Sequence, residues 1–158
     1  ASEYYCGVYH RLHGLETVCL RYFNVYGPRQ RADSPYTGVI TKFLTAARAG
    51  KPITLFGDGT QSRDFVYVGD VVAANIAAAT RSSDLVAGKI FNIGTGKSVQ
   101  VRELAAIVRE LLPQAGEPRH EPPRAGEILN SRADITRARE ALGLDPRGRL
   151  EEYLAASL

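Results

Sequence analysis

The sequence predicts an α/β fold. Short runs rich in β-branched and aromatic residues alternate with stretches whose apolar residues recur at helical spacing, and Gly or Pro marks most of the junctions. At 158 residues the chain has the size of one domain, long enough to bury about 70% of its unfolded surface. Hydrophobic residues make up 44% and charged residues 23%, ordinary proportions for a soluble globular protein.

Tyr5, Val8, Tyr9 and Leu12 fall at helical spacing and Gly14 supplies the stop. Thr17 to Phe23 is dense in β-formers and reads as a strand. Asn24 to Thr37, with Gly27-Pro28 and Ser34-Pro35, reads as a polar loop. Val39, Ile40, Phe43, Leu44 and Ala47 mark a second helix closed by Gly50. Ile53 to Phe56 is a short strand, Gly57-Asp58-Gly59 a turn, and Ser62 to Val68 a second extended run. Asp70 is placed to cap an Ala-rich helix from Val71 to Thr80. Lys89 to Ile93 is another strand. Val101, Leu104, Ala105, Val108, Leu111 and Leu112 form an amphipathic helix that stops at Pro113, and Gln114 to Gly126 reads mostly as loop. Asp134 caps a short helix through Leu142, and a last helix begins at Leu150 and runs toward Leu158.

The net charge of +3 and pI near 9.0 suit an anionic ligand such as a diphosphate. The basic residues are scattered without interleaved stacking aromatics, so no nucleic-acid partner is expected. Cys6 and Cys19 lack metal-ligand spacing and read as buried free thiols. With no apolar run approaching about 18 residues and no leader-like start, the expectation is a soluble, cytoplasmic protein with no membrane partner. His10, His13 and His120 lack acidic or thiol partners at ligand spacing, so no metal site is expected. Tyr4, Tyr5 and Tyr9 form an aromatic stripe that reads as packing. Asp58, Asp64 and Asp70 read as turn, strand-end and cap residues.

Two glycine motifs fail on inspection. Gly94-Thr95-Gly96-Lys97-Ser98 sits between a strand and a helix like the tail of a P-loop, but position 91 is Phe where that motif needs Gly. Gly57/Gly59 and Gly94/Gly96 begin a dinucleotide fingerprint, yet positions 62 and 99 are Ser and Val. No Tyr is followed four residues on by Lys, so no catalytic residue is assigned.

Four landmarks in order, Leu20 to Arg29, Ile53 to Asp70, Phe91 to Leu104 and Pro123 to Ser131, resemble the extended short-chain dehydrogenases, the NAD-dependent nucleotide-sugar epimerases and dehydratases. The resemblance implies the C-terminal portion of an extended Rossmann-type epimerase. Residues 1–158 would comprise the small substrate-binding domain and the last Rossmann elements, with the N-terminal NAD-binding half absent. It implies that Asn24 hydrogen-bonds a nucleotide-sugar diphosphate and that the strand at Leu55 and Phe56 holds the base with its backbone and side chain. Arg63 and Arg124 would bind the diphosphate, Glu127 the ribose hydroxyls, and Val39 would line the sugar site. Tyr22 and Phe23 match positions beside the nicotinamide.

Guanidinium forks bind phosphate oxygens bidentately, which makes the two arginines chemically apt. The implied ligand is a UDP- or dTDP-hexose. NAD is expected in the intact enzyme and not on this chain alone. UDP-glucose 4-epimerase-like chemistry leads, with a dTDP-glucose dehydratase-like fragment or a non-catalytic module as alternatives. In that family the first helix joins a dimerising bundle, so the resemblance also implies a homodimer, with the tyrosine stripe as an exposed interface instead of internal packing.

Overall fold

The computed structural model describes residues 1–34, 37–146 and 150–156. Helix α1 (Ser2–His13) ends at Gly14, whose φ of 66° is the left-handed turn that glycine adopts without steric cost. Strand β1 (Val18–Tyr22) follows and pairs in parallel with β6 (Lys89–Ile93), Val18 opposite Lys89 and Tyr22 opposite Ile93.

The segment read as a loop from Asn24 instead continues as β2 (Asn24–Tyr26), parallel to β5 (Phe65–Tyr67). Its partner strand overrides the local breakers. Phe23 still donates its N–H to the Ile93 carbonyl at 3.0 Å, while Asn24 donates to the Asp64 carbonyl at 3.1 Å. The chain therefore changes strand partner between these two residues.

Helix α2 (Val39–Arg48) turns Ile40, Phe43, Leu44 and Ala47 into the core. Strand β3 (Pro52–Phe56) alternates strictly, with Ile53 and Leu55 buried and Thr54 and Phe56 on the other face. The extended run Ser62 to Val68 divides into β4 (Ser62–Arg63) and β5, and helix α3 (Val68–Thr80) starts earlier than predicted. Asp70 lies inside its first turn, so it is not the cap; its carboxylate still suits that end of the helix dipole.

A short α4 (Ser83–Val86) precedes β6, and β7 (Val99–Gln100) pairs antiparallel with β4. Helix α5 (Val101–Leu111) buries Val101, Leu104, Ala105 and Val108, and Glu103 accepts the Gln100 N–H at its start. Gly116 to Glu121, expected as loop, is β8 (Gly116–Glu121), parallel to β3. Helix α6 (Thr136–Leu142) is preceded by Asp134, whose carboxylate accepts the Thr136 N–H at 3.0 Å. The last helix is α7 (Leu150–Ala155); Ser157 and Leu158 lie outside the described residues.

Two cores result. One gathers α2, β3, α5 and α7 around Phe43, Ile53, Leu104 and Leu154. The other joins α3, β5, β6 and α6 around Val66, Ala74, Phe91 and Leu142. Helix α1 contributes no buried residue. The predicted packing stripe is instead solvent-facing, with Tyr4 82% and Tyr5 65% exposed. Cys6 and Cys19 are free but half-buried rather than buried, and desolvation, with Cys6 close by, pushes the Cys19 thiol up. Among the described residues no helix is long and apolar enough to cross a membrane.

Candidate functional site

Asp64 organises the surroundings of the site. Its side chain is fully buried between β4 and β5. One carboxylate oxygen accepts the Thr95 N–H and hydroxyl, each at 2.8 Å; the other accepts the N–H groups of Gly96 at 2.9 Å and Ala133 at 3.0 Å. A buried charge is tolerated when its oxygens are saturated this way. The Gly94-Thr95-Gly96 turn thus does to an internal carboxylate what a phosphate loop does to its ligand. Gly94 is packed so closely that a Cβ there would lie 2.6 Å from the Ala133 Cβ. The main-chain carbonyl of Asp64 also accepts the Asn24 side-chain amide at 3.2 Å, fixing that side chain at the start of β2.

The β3–β4 connection is a tight turn. Asp58 accepts the Thr60 N–H and hydroxyl, and these bonds hold its carboxyl below the usual range. Gln61, buried, donates its side-chain amide to the Phe56 carbonyl at 3.1 Å. Arg63 then leaves β4 with its guanidinium fixed from three sides. It donates to the carbonyls of Ser62 at 2.8 Å and Ile128 at 2.6 Å, and pairs with Glu127 at 3.3 Å. The facing segment is anchored by Ser62, whose N–H donates to the Leu129 carbonyl and whose carbonyl accepts the Ser131 N–H. Arg124, in the loop after β8, lies with its guanidinium carbon 3.6 Å from the centroid of the Phe56 ring.

These side chains share one cavity of about 490 Å³. Asn24, Val39, Phe56, Arg63, Arg124 and Glu127 all line it, so six of the seven substrate-site residues named from sequence are brought together. Leu55 is not. The two-residue period of β3 turns its side chain into the core, 4% exposed, on the face opposite Phe56. Thr37, Lys42, Gln61 and Glu121 also line the cavity and were not anticipated. Lys42 could have been found, because it lies three residues beyond Val39 and so on the same helix face. Glu121 could not, since its segment carries no strand pattern.

Tyr22 and Phe23 sit at the end of β1, outside this cavity. Tyr22 is half-exposed and donates its hydroxyl to the Asn75 side chain at 3.0 Å. Neither they nor the glycine turns form a dinucleotide cradle. The turn that leads toward α5 is closed on Asp64, and its N–H groups are not free for a pyrophosphate. Among the described residues no cluster of three His, Cys, Asp or Glu could hold a metal ion.

Fold and cavity together define an α/β chain with a cationic, partly aromatic pocket at strand ends. The chain belongs to the NAD dependent epimerase/dehydratase family, whose model matches residues 1–94. It is similar to the UDP-glucose 4-epimerase of Mycolicibacterium smegmatis, 39% identical across 100% of this chain and 49% of that protein. A UDP-N-acetyl-alpha-D-glucosaminuronate decarboxylase of Bacillus cytotoxicus is 37% identical across 93% of this chain and 46% of its own length. The crystal structure of UDP-glucose 4-epimerase with UDP-glucose from Thermotoga maritima superposes with a TM-score of 0.88 at 40% identity, covering 99% of this chain and 49% of that one. The chain spans about half the length of the curated relatives it matches.

Proposed function

We propose that this chain is the nucleotide-sugar-holding part of an NAD-dependent sugar epimerase, with UDP-glucose 4-epimerase-like chemistry as the leading assignment. One observation carries the reading: Arg63 on β4 and Arg124 in the loop after β8, far apart in sequence, line a single cavity with Asn24. A diphosphate presents flexible anionic oxygens that two guanidinium forks and a side-chain amide can share. Phe56 supplies an apolar face for a base, Glu127 acceptor oxygens for ribose hydroxyls, and Val39 a wall for the sugar. In the intact enzyme NAD would take and return the hydride at the sugar carbon. Tyr22 and Phe23 would flank its nicotinamide from this side. The general base and the dinucleotide cradle are not among these residues, so this chain by itself is expected to hold ligand without turnover.

Calorimetric titration with UDP tests the assignment. Wild type should bind weakly, and an Arg63→Ala/Arg124→Ala double variant should not bind measurably. Equal affinity in both would refute the site. A dTDP-glucose dehydratase-like reading makes the same pocket prefer dTDP, so titrating both nucleotides separates the two.

A second reading rests on α1, whose Tyr4, Tyr5 and Leu12 are exposed on one helix. It makes the chain an association module that pairs with another polypeptide or with its own copy. Sedimentation showing a strict monomer at high concentration would remove it.

A further inference from the structure

The Arg124 guanidinium lies directly on the Phe56 ring at 3.6 Å. Both groups line the pocket, and the alternation of β3 turns Phe56 toward it. Planar groups in contact stack about 3.5–4.0 Å apart, so a base inserted between these two would need about 7 Å. Ring and guanidinium cannot keep their contact while a base lies on that face. Arg124 is also the less restrained of the two pocket arginines. Arg63 is fixed by two carbonyls and Glu127, whereas Arg124 is exposed and its guanidinium rests on the ring.

We propose that Arg124 makes the pocket select whole nucleoside diphosphates over nucleosides by competing with the base for the face of Phe56. The inference rests on the nucleotide-sugar reading above. A ligand with both base and diphosphate displaces the guanidinium from the ring and gives it phosphate oxygens in exchange. A nucleoside must displace it with nothing to offer in return. Its apparent affinity is lowered by the fraction of molecules in which Arg124 covers the ring. A cation–π contact at a partly exposed site corresponds to about a two- to fivefold bias. Arg124 is in this sense a specificity residue with opposite effects on two ligands.

The test compares UDP and uridine on the purified chain, by calorimetry and by ligand-observed NMR. In Arg124→Ala, UDP should bind about tenfold or more weakly, from loss of a charge-assisted contact. Uridine should bind about two- to fivefold more tightly. Repeating the change in a Phe56→Leu background completes a cycle, and there the gain for uridine should vanish. Uridine affinity that is unchanged or lower in Arg124→Ala would overturn the proposal, as would a gain that persists without Phe56. Failure of wild type to bind UDP would instead overturn the nucleotide-sugar reading, and this inference with it. Arg124 is exposed, so its removal should leave the melting temperature close to wild type, and that measurement accompanies each titration.

Discussion

Two places in this molecule gather donors suited to an anion, and they are used in opposite ways. The Gly94 to Gly96 turn has the look of a phosphate loop, yet its N–H groups close on the buried carboxylate of Asp64. The pocket lined by Arg63 and Arg124 matches no short motif, yet its guanidiniums are held at a cavity wall. The first arrangement is structural: the anion is covalently part of the chain and locks β4, β5 and the loop at Ala133 together. In the second, Arg63 already meets two carbonyls and Glu127, and on the reading proposed above the anion of a bound ligand joins them at the cavity. Donor geometry alone does not tell a binding site from an internal one; what separates these two is that the turn is closed on a buried carboxylate while the guanidiniums line an open cavity.

The contrast can be broken at several points. Asp64→Asn should have the largest effect. It converts a saturated acceptor into a group with an N–H facing other N–H donors, at about 1–3 kcal/mol for each donor left without a partner. Urea denaturation should show the loss, and binding per folded molecule should be little changed. Gly94→Ala attacks the same turn sterically, because its Cβ would lie 2.9 Å from the Asp64 carboxylate. Overpacking of this kind costs about 1–3 kcal/mol, read by the same denaturation.

Arg63→Ala should do the reverse of Asp64→Asn. UDP binding should weaken about tenfold or more, while stability falls by less than in Asp64→Asn. Arg63 loses its bonds to two carbonyls and Glu127, but it borders a cavity that water can enter, whereas Asp64 is fully buried and serves four donors. The smallest expected effect is at Asp70, whose partial burial raises its carboxyl above the ordinary value. The folded state then holds its proton to higher pH than the unfolded chain. Stability from this group is complete below the unfolded value near 3.8 and declines as pH rises through the raised one. Asp70→Asn should therefore compare more favourably with wild type at pH 7 than at pH 3 in thermal melts.

Much of the fold was legible because most elements announce themselves by periodicity. α5 and β3 carry clean apolar patterns and appear where the patterns lie. β2 and β8 were hidden for a shared reason. Asn24-Val25-Tyr26 leads into Gly27-Pro28, and Gly116 to Glu121 contains Pro118 and four charged or histidine residues. Neither would be a strand alone; each exists because a neighbouring strand offers a parallel ladder.

The site was legible differently. Asn24, Arg63 and Arg124 are ordinary polar residues one at a time, and only the order of four landmarks singled them out. The resemblance pointed to a strand segment, and because neighbouring residues on a strand face opposite ways only the Phe56 side chain reaches the cavity. The internal role of Asp64 was out of reach, since nothing local to it predicts contact with Thr95 and Ala133. The stripe on α1 shows the same limit, because spacing predicts a helix face and is silent on what covers it.

The central claim is that an external diphosphate belongs to the arginine pocket and not to the glycine turn. Amide chemical-shift mapping during a UDP titration tests it most directly. Shifts concentrated at Asn24, Phe56, Arg63 and Arg124, with Gly94 to Lys97 unmoved, are the predicted result. Shifts centred on Thr95 and Gly96, with the two arginines silent, would contradict the account.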